Sequence, residues 1–92
     1  MIRSVRDRDT EESFHRQALR RWASIARVAL RRLRVLHRAI SLADLRVPPS
    51  NRLEALKGSG VGQFSIRVND QYRICFRWKD GHAYEVELTD YH

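Results

Sequence analysis

The sequence predicts an α+β domain in which two amino-terminal helices pack on one face of a small antiparallel β-sheet. In the first half of the chain, apolar residues recur every three or four positions, which is typical of amphipathic helices. In the second half they alternate with polar residues, as in strands with one buried face. The chain has 92 residues, 42% of them hydrophobic. This length predicts a single domain, residues 1–92, with one modest core.

The amino-terminal elements are predicted from caps and short patterns. The alternating segment IRSV at residues 2–5 predicts an edge strand. Asp9 and Glu12 form a capping pair that opens a helix, and this helix is predicted to run to about Arg21. Ser24 either caps a second helix or lies inside one continuous helix, because no Pro or Gly interrupts the sequence here.

The segment from Trp22 to Ile40 carries two opposite stripes. The apolar stripe consists of Trp22, Ala26, Ala29, Leu33, Leu36 and Ile40. The arginine stripe consists of Arg27, Arg31, Arg34 and Arg38, and it lies roughly opposite because a helix turns about 100° per residue. Like charges at this spacing repel one another, and no acid accompanies them. The arginine stripe therefore predicts an anionic partner, either a nucleic acid or an acidic protein.

The carboxyl-terminal half is predicted to be a meander of strands. Ser41 and Asp44 can cap a short turn, and Pro48–Pro49 ends helical structure. Turns at Asn69–Asp70 and Asp80–Gly81 separate three alternating segments. The predicted buried face consists of Phe64, Ile66, Val68, Tyr72, Ile74, Phe76, Trp78, Tyr84, Val86 and Leu88. The opposite face, called the open face below, carries Arg67, Arg73 and Arg77.

Charge and cysteine content narrow the class of protein. The net charge is +7, and residues 1–47 hold twelve Arg against five acids. Such a basic balance favours a nucleic-acid partner. The single Cys75 cannot form an internal disulfide, and the chain has neither an apolar run of membrane-spanning length nor a signal peptide. We therefore expect a cytoplasmic protein with no membrane partner.

The candidate chemistry is phosphate chemistry without a metal or a small-molecule cofactor. The four histidines lack paired ligand spacing. The GSGVG segment at residues 58–62 lacks the Lys-Ser/Thr of a phosphate-binding loop. Cleaving RNA needs a base for the 2′-hydroxyl, a cation for the phosphorane and an acid for the 5′-oxygen. The side chains that could supply these groups are Lys57, Arg73, Asp90 and His92, while Tyr91 could stack on a base. The alternative is that Arg73 is an ordinary surface cation and His92 an unused terminus.

Three segments resemble the HigB-type toxins of the RelE/ParE superfamily of bacterial toxin–antitoxin modules. They are PPSNRLEALKG at residues 48–58, GQFSIRVNDQYRICFRW at 62–78, and the terminal DYH. The resemblance implies a microbial-ribonuclease-like fold, ribosome-dependent cleavage of mRNA, inhibition of translation, and neutralisation by a HigA-like helix-turn-helix antitoxin. It also implies metal-independent attack by the 2′-hydroxyl, giving a 2′,3′-cyclic phosphate.

The resemblance assigns roles by position. The implied catalytic set is Lys57, Arg73, Asp90, Tyr91 and His92, with His92 and Asp90 as the acid/base end and Arg73 and Lys57 as the phosphate-stabilising cations. We expect RNA contacts from Arg27, Arg31, Arg34, Arg38, Arg67 and Arg77. One departure is that residues 59–61, Ser-Gly-Val, stand where the family often has charged residues. Two alternatives stay open: a ParE-like gyrase-binding toxin without RNase activity, and a non-catalytic nucleic-acid-binding module.

Overall fold

The computed structural model describes residues 1–6, 25–56 and 62–90. It contains one α-helix, α1 (Ala26–Arg38), two short 3₁₀ turns (Leu42–Arg46 and Pro49–Asn51) and four strands. The strands are β1 (Glu54–Ala55), β2 (Gln63–Arg67), β3 (Tyr72–Lys79) and β4 (His82–Asp90), and they form an antiparallel sheet in chain order. The α+β class and the meander are thus confirmed. The predicted first helix, from Asp9 to about Arg21, lies outside the described residues.

The core lies between α1 and one face of the sheet. The helix contributes Ala29, Leu33 and Leu36, all at most 2% exposed. From the sheet come Ile66, Ile74, Phe76, Val86 and Leu88, which are also buried. The apolar stripe is therefore confirmed at its centre, where it packs as an amphipathic helix should. No described helix is long and apolar enough to cross a membrane.

The end of the apolar stripe was predicted wrongly. The helix ends at Arg38, and Ile40 is 82% exposed. Ala39 already has an extended backbone. The Asp44 carboxylate accepts hydrogen bonds from the backbone N–H groups of Ile40 (2.9 Å) and Ser41 (3.2 Å), which lowers the pKa of Asp44. These bonds satisfy the two donors outside the helix and start the next turn, as the predicted Ser41–Asp44 cap required.

A β-bulge changes which residues of β4 face the core. Ile74 pairs with Leu88, but Arg77 pairs with Tyr84, so the register shifts by one residue. Glu85 has a φ of 52°, a left-handed conformation that is uncommon for a residue with a side chain. Ala83, opposite Trp78, is consequently buried on the core face. The prediction that Tyr84 faces the core is wrong, because pairing with Arg77 places it on the open face.

The amino-terminal segment covers the β4 edge of the sheet. Ile2 and Val5 form parallel bridges with Ala83 and Val86. Hydrogen bonds of 2.8–3.1 Å join residues 1–6 to this strand. The predicted edge strand therefore exists as two isolated bridges, and it occupies the outer side of β4. The Asp80–Gly81 turn, which connects β3 and β4, has positive φ at both positions, as a tight two-residue hairpin requires.

Candidate functional site

Arg73 is a buried cation rather than an open-face surface charge. Only 8% of the residue is exposed, which corrects its grouping with Arg67 and Arg77 as open-face cations. Its Nε donates to the Ser65 hydroxyl at 2.8 Å, and one terminal nitrogen donates to the carbonyl of Arg52 at 2.6 Å. A longer contact of 3.4 Å reaches the Ser65 carbonyl. The guanidinium is therefore held in one orientation by groups from separate chain segments.

The cover over Arg73 comes from the segment that precedes β1. Asn51 is fully buried, and its side-chain amide donates to the carbonyls of Leu45 and Val47 at 3.2 Å each. This fixes the end of the second 3₁₀ turn. Arg52 then adopts a left-handed conformation with φ of 46°, and its carbonyl accepts the bond from Arg73. Buried carbonyls need such partners, so cation and loop stabilise each other.

Arg73 contacts both neutral oxygen atoms and an acid in the described structure. The hydroxyl and carbonyl groups described above orient its guanidinium. Its ion pair with Glu54 is long, at 3.9 Å, and the Glu54 side chain is 57% exposed. A cation fixed among dipoles in a poorly hydrated place can stabilise negative charge that develops nearby. This end of β3 could therefore serve as an electrostatic site.

Asp90 ends the described part of β4, at the same end of the sheet as Arg73. It pairs with Tyr72, while Arg73 pairs with Thr89. Because side chains alternate along a strand, Asp90 shares the face of Leu88 and Tyr72, and Arg73 lies on the opposite face. Arg73 and Asp90 therefore lie at one end of the sheet but on opposite faces. A substrate group that contacts both side chains would have to lie at the end of the sheet.

Gln71 contacts the candidate residue Asp90, and the sequence reasoning missed this contact. Its side-chain amide lies 3.3 Å from the Asp90 carboxylate and 3.2 Å from the Tyr72 hydroxyl. The sequence signal was Asn69 in the turn. Its side-chain oxygen accepts hydrogen bonds from the backbone N–H groups of Gln71 and Tyr72, which places Gln71 just before β3 and near the end of β4. Of the other predicted catalytic residues, Lys57, Tyr91 and His92 lie outside the described residues.

The other open-face arginines are paired with acids. Arg77 donates to Glu85 at 2.9 Å, and Arg67 contacts Asp70. Arg67 also accepts, through its backbone carbonyl, a bond of 3.1 Å from Arg32 Nε. Burial, reinforced by neighbouring Arg31 and Arg67, lowers the pKa of Arg32. These surface pairs leave less free positive charge on the open face than the sequence suggested.

The arginine stripe differs from the open-face arginines in its lack of acidic partners within the described residues. Its four members, Arg27, Arg31, Arg34 and Arg38, are all exposed on α1, as predicted. Within residues 1–6, 25–56 and 62–90, none of them forms an ion pair. Four guanidinium groups at helical spacing therefore face outward from the described structure, in a row suited to a polyanion.

Cys75 and the histidines offer no metal or nucleophilic site in the described structure. Burial raises the pKa of the Cys75 thiol, an effect that Glu87 reinforces and that Thr89 and Arg73 oppose. A buried thiol that stays protonated packs as a small apolar side chain. In the same part of the chain, no group of three His, Cys, Asp or Glu side chains could hold a metal ion.

Comparison with known proteins decides the family. Residues 6–92 match the model of the HigB-like toxins, described as the RelE-like toxin of the type II toxin–antitoxin system HigB. The chain is a HigB-like toxin. Over 66 residues it is 47% identical to Toxin HigB-1 of Vibrio cholerae serotype O1, covering 72% of this chain and 70% of that protein. Over 66 residues it is 32% identical to an uncharacterized protein of Haemophilus influenzae, covering 72% and 65%.

Solved structures support the same fold for this HigB-like toxin. The YoeB–YefM complex of Staphylococcus aureus matches with a TM-score of 0.57 and 16% identity, covering 100% of this chain and 98% of that one. A YoeB/ParE toxin of Agrobacterium tumefaciens matches with a TM-score of 0.51 and 15% identity, covering 96% and 99%. At these identities the likeness concerns the fold alone. The predicted RelE-like fold and the predicted type II toxin are confirmed, and such a toxin has an antitoxin as partner.

Proposed function

We propose that this HigB-like toxin is an endoribonuclease that cleaves mRNA on the ribosome and so arrests translation in the bacterial cytoplasm. Ribosome-dependent RNase activity is the role known for the family. The structural observation that carries the proposal is the fixed guanidinium of Arg73 at the sheet end where β4 leads into the terminal DYH. A preorganised cation beside groups that transfer protons is what phosphodiester cleavage requires.

In the proposed reaction, the 2′-oxygen of the substrate attacks the adjacent phosphorus. A base removes the 2′-hydroxyl proton, the O2′–P bond forms, and the P–O5′ bond breaks as an acid protonates the 5′-oxygen. The products are a 2′,3′-cyclic phosphate and a 5′-hydroxyl. We assign the proton transfers to His92 assisted by Asp90, charge stabilisation to Arg73 and Lys57, and base stacking to Tyr91. Side chains supply every role, so the proposed step is metal-independent.

The first test removes the nucleophile from the substrate. An mRNA with a 2′-deoxy nucleotide on the 5′ side of the scissile phosphate should bind in the ribosome but remain uncut. The all-ribose mRNA should be cut under the same conditions and yield a cyclic phosphate end, detectable by mass spectrometry. Cleavage of the deoxy substrate at the same bond would indicate a water nucleophile and rule out the proposed chemistry.

We assign the arginine stripe to ribosomal RNA and propose a charge-reversal test. The double variant Arg31→Glu/Arg34→Glu should weaken association with ribosomes, because it replaces attraction to phosphates with repulsion. The slope of log K against log salt should shrink by about 0.7–0.9 for each phosphate that the variant no longer neutralises. Binding is measured by sedimentation over a salt series.

The matched control is Arg3→Glu/Lys79→Glu, which changes the net charge equally at two exposed residues that are not part of α1. It should retain most of the wild-type affinity and slope. If the stripe variant instead binds ribosomes like the wild type and loses the antitoxin, the stripe is a protein interface. The assignment to RNA would then be wrong, although the proposed cleavage chemistry would stand.

A further inference from the structure

The described sheet has one uncovered edge, at β1. Residues 1–6 cover the other edge by hydrogen bonds to β4. The N–H of Leu56 donates to the carbonyl of Gln63 at 2.9 Å, and Ala55 pairs with Phe64. Because hydrogen-bonded and non-hydrogen-bonded pairs alternate in an antiparallel ladder, the N–H and C=O of Ala55 point away from β2. Nothing else in the described structure pairs with this outer side.

A groove of about 350 Å³, lined by apolar side chains and by arginines, lies beside this edge. Ala55 is part of its lining, together with the half-buried side chains of Leu42, Leu53 and Phe64. These three pack against the rim of the core and leave apolar surface exposed in the groove. The volume suits one or two large apolar side chains. A strand laid along β1 would place alternate side chains over this groove.

The charge around the groove is positive. Arg46 and Arg52 line it, and both are exposed. Neither has an ion pair within the described residues. Glu54 pairs with Ser65, so alternation places its side chain on the opposite face of β1 from Ala55 and Phe64. A bound segment that carries carboxylates next to an apolar side chain would therefore complement both the apolar lining and the arginines of the groove.

We propose that the β1 edge and this groove bind an extended acidic segment of the antitoxin. The segment adds a strand to β1 through the outward N–H and C=O of Ala55, inserts an apolar side chain into the groove, and pairs its carboxylates with Arg46 and Arg52. Backbone pairing supplies affinity and the groove supplies specificity in this mode of recognition. The proposal rests on membership of a toxin–antitoxin family, not on the cleavage reaction.

Occupation of the groove also touches the segment that orients Arg73. Arg52 lines the groove, while its backbone carbonyl accepts the 2.6 Å hydrogen bond from Arg73. A bound segment would contact the residue that holds the proposed phosphate-stabilising cation. Antitoxin binding at this edge would thus reach the candidate site through Arg52.

The decisive variant is Ala55→Pro. Proline removes the outward N–H, and an edge strand tolerates it because the inward bonds belong to the neighbouring residues. The control Ala55→Ser keeps the N–H and a small side chain. The probe is the purified cognate antitoxin, titrated calorimetrically against each full-length toxin. We expect Ala55→Pro to weaken binding about tenfold or more, and Ala55→Ser to change it by less than about threefold.

A second variant keeps the proposal testable if Ala55→Pro does not fold. Arg46→Glu/Arg52→Glu should also weaken antitoxin binding at least tenfold, whereas Arg3→Glu/Lys79→Glu should not. Wild-type affinity in the folded Ala55→Pro protein or in the Arg46/Arg52 double variant would overturn the proposal. So would loss of toxin self-association in Ala55→Pro with unchanged antitoxin affinity, since the occupant would then be a second copy of this chain.

Growth arrest without antitoxin separates this proposal from the proposed function. If folded Ala55→Pro arrests growth like the wild type but resists neutralisation, the edge is the antitoxin site. If the wild type neither arrests growth nor cleaves mRNA, the proposed RNase function fails. The affinities measured above would still decide the proposal about the edge.

Discussion

Replacing His92 by Gln should lower mRNA cleavage on programmed ribosomes by about 10²–10⁴-fold, the range expected when a general acid or base is removed. Gln keeps the size and polarity of the side chain but cannot exchange a proton at neutral pH. A substitution that removes only a proton-transfer group should leave the free energy of unfolding within about 0.5 kcal/mol of the wild-type value. Cleavage is measured in a single turnover with saturating toxin.

The matched control is His82→Gln, at the opposite end of β4 from Asp90. It removes another imidazole without touching the proposed site, and it should cleave at close to the wild-type rate. Both variants should associate with ribosomes normally. Wild-type cleavage by His92→Gln would remove the terminal DYH from the catalytic mechanism, and the chemistry would then need another acid.

The parts of the fold set by local patterns could be predicted from the sequence. Ala29, Leu33 and Leu36 are spaced three or four residues apart, so they share one face of the helix, and this apolar face packs on the core. Ile66, Ile74 and similar residues follow from strand alternation. The hairpin turn at Asp80–Gly81 could be predicted because glycine readily adopts positive φ, and the Asp-Gly pair is typical of two-residue hairpin turns.

The errors in the fold arose where one contact overrode a pattern. Ile40 continued the helical spacing, but hydrogen bonds from Ile40 and Ser41 to Asp44 ended the helix early. Tyr84 continued the strand alternation, but the bulge at Glu85 reversed its face. The Glu85 N–H donates to the Ser4 hydroxyl at 2.8 Å, a partner 81 positions away in the chain. The residue pattern of β4 alone therefore does not predict the contact with Ser4.

The geometry of the candidate site was predictable only in part. Arg73 has the same parity as Arg77 along β3, so alternation assigned it to an exposed face. Its cover, the Arg52 carbonyl, comes from 21 positions earlier and depends on the buried Asn51. The opposite facing of Asp90 and Arg73 follows from strand alternation alone, because Asp90 lies two residues after the buried Leu88 and Arg73 lies next to Tyr72.

Because Arg73 is buried and hydrogen-bonded, its replacement should affect both stability and catalysis. Arg73→Ala leaves the Arg52 carbonyl and the Ser65 hydroxyl without their donor. Each buried group left unsatisfied costs about 1–3 kcal/mol of unfolding free energy, measurable by urea denaturation. Loss of one donor to transition-state charge should also slow cleavage by about 10²–10³-fold, while ribosome association stays nearly unchanged.

Arg73→Lys and Ser65→Ala separate the two roles. Lysine keeps the charge but not the fork that contacts both Ser65 and Arg52, so we expect partial recovery of cleavage without full recovery of stability. Ser65→Ala removes the acceptor of Arg73 Nε and should cost about 1 kcal/mol of stability with little loss of charge at the site. If cleavage falls in proportion to stability across all three variants, Arg73 acts only by holding the loop before β1. If Arg73→Ala loses far more cleavage than its folded fraction explains, the fixed charge itself acts on the scissile phosphate.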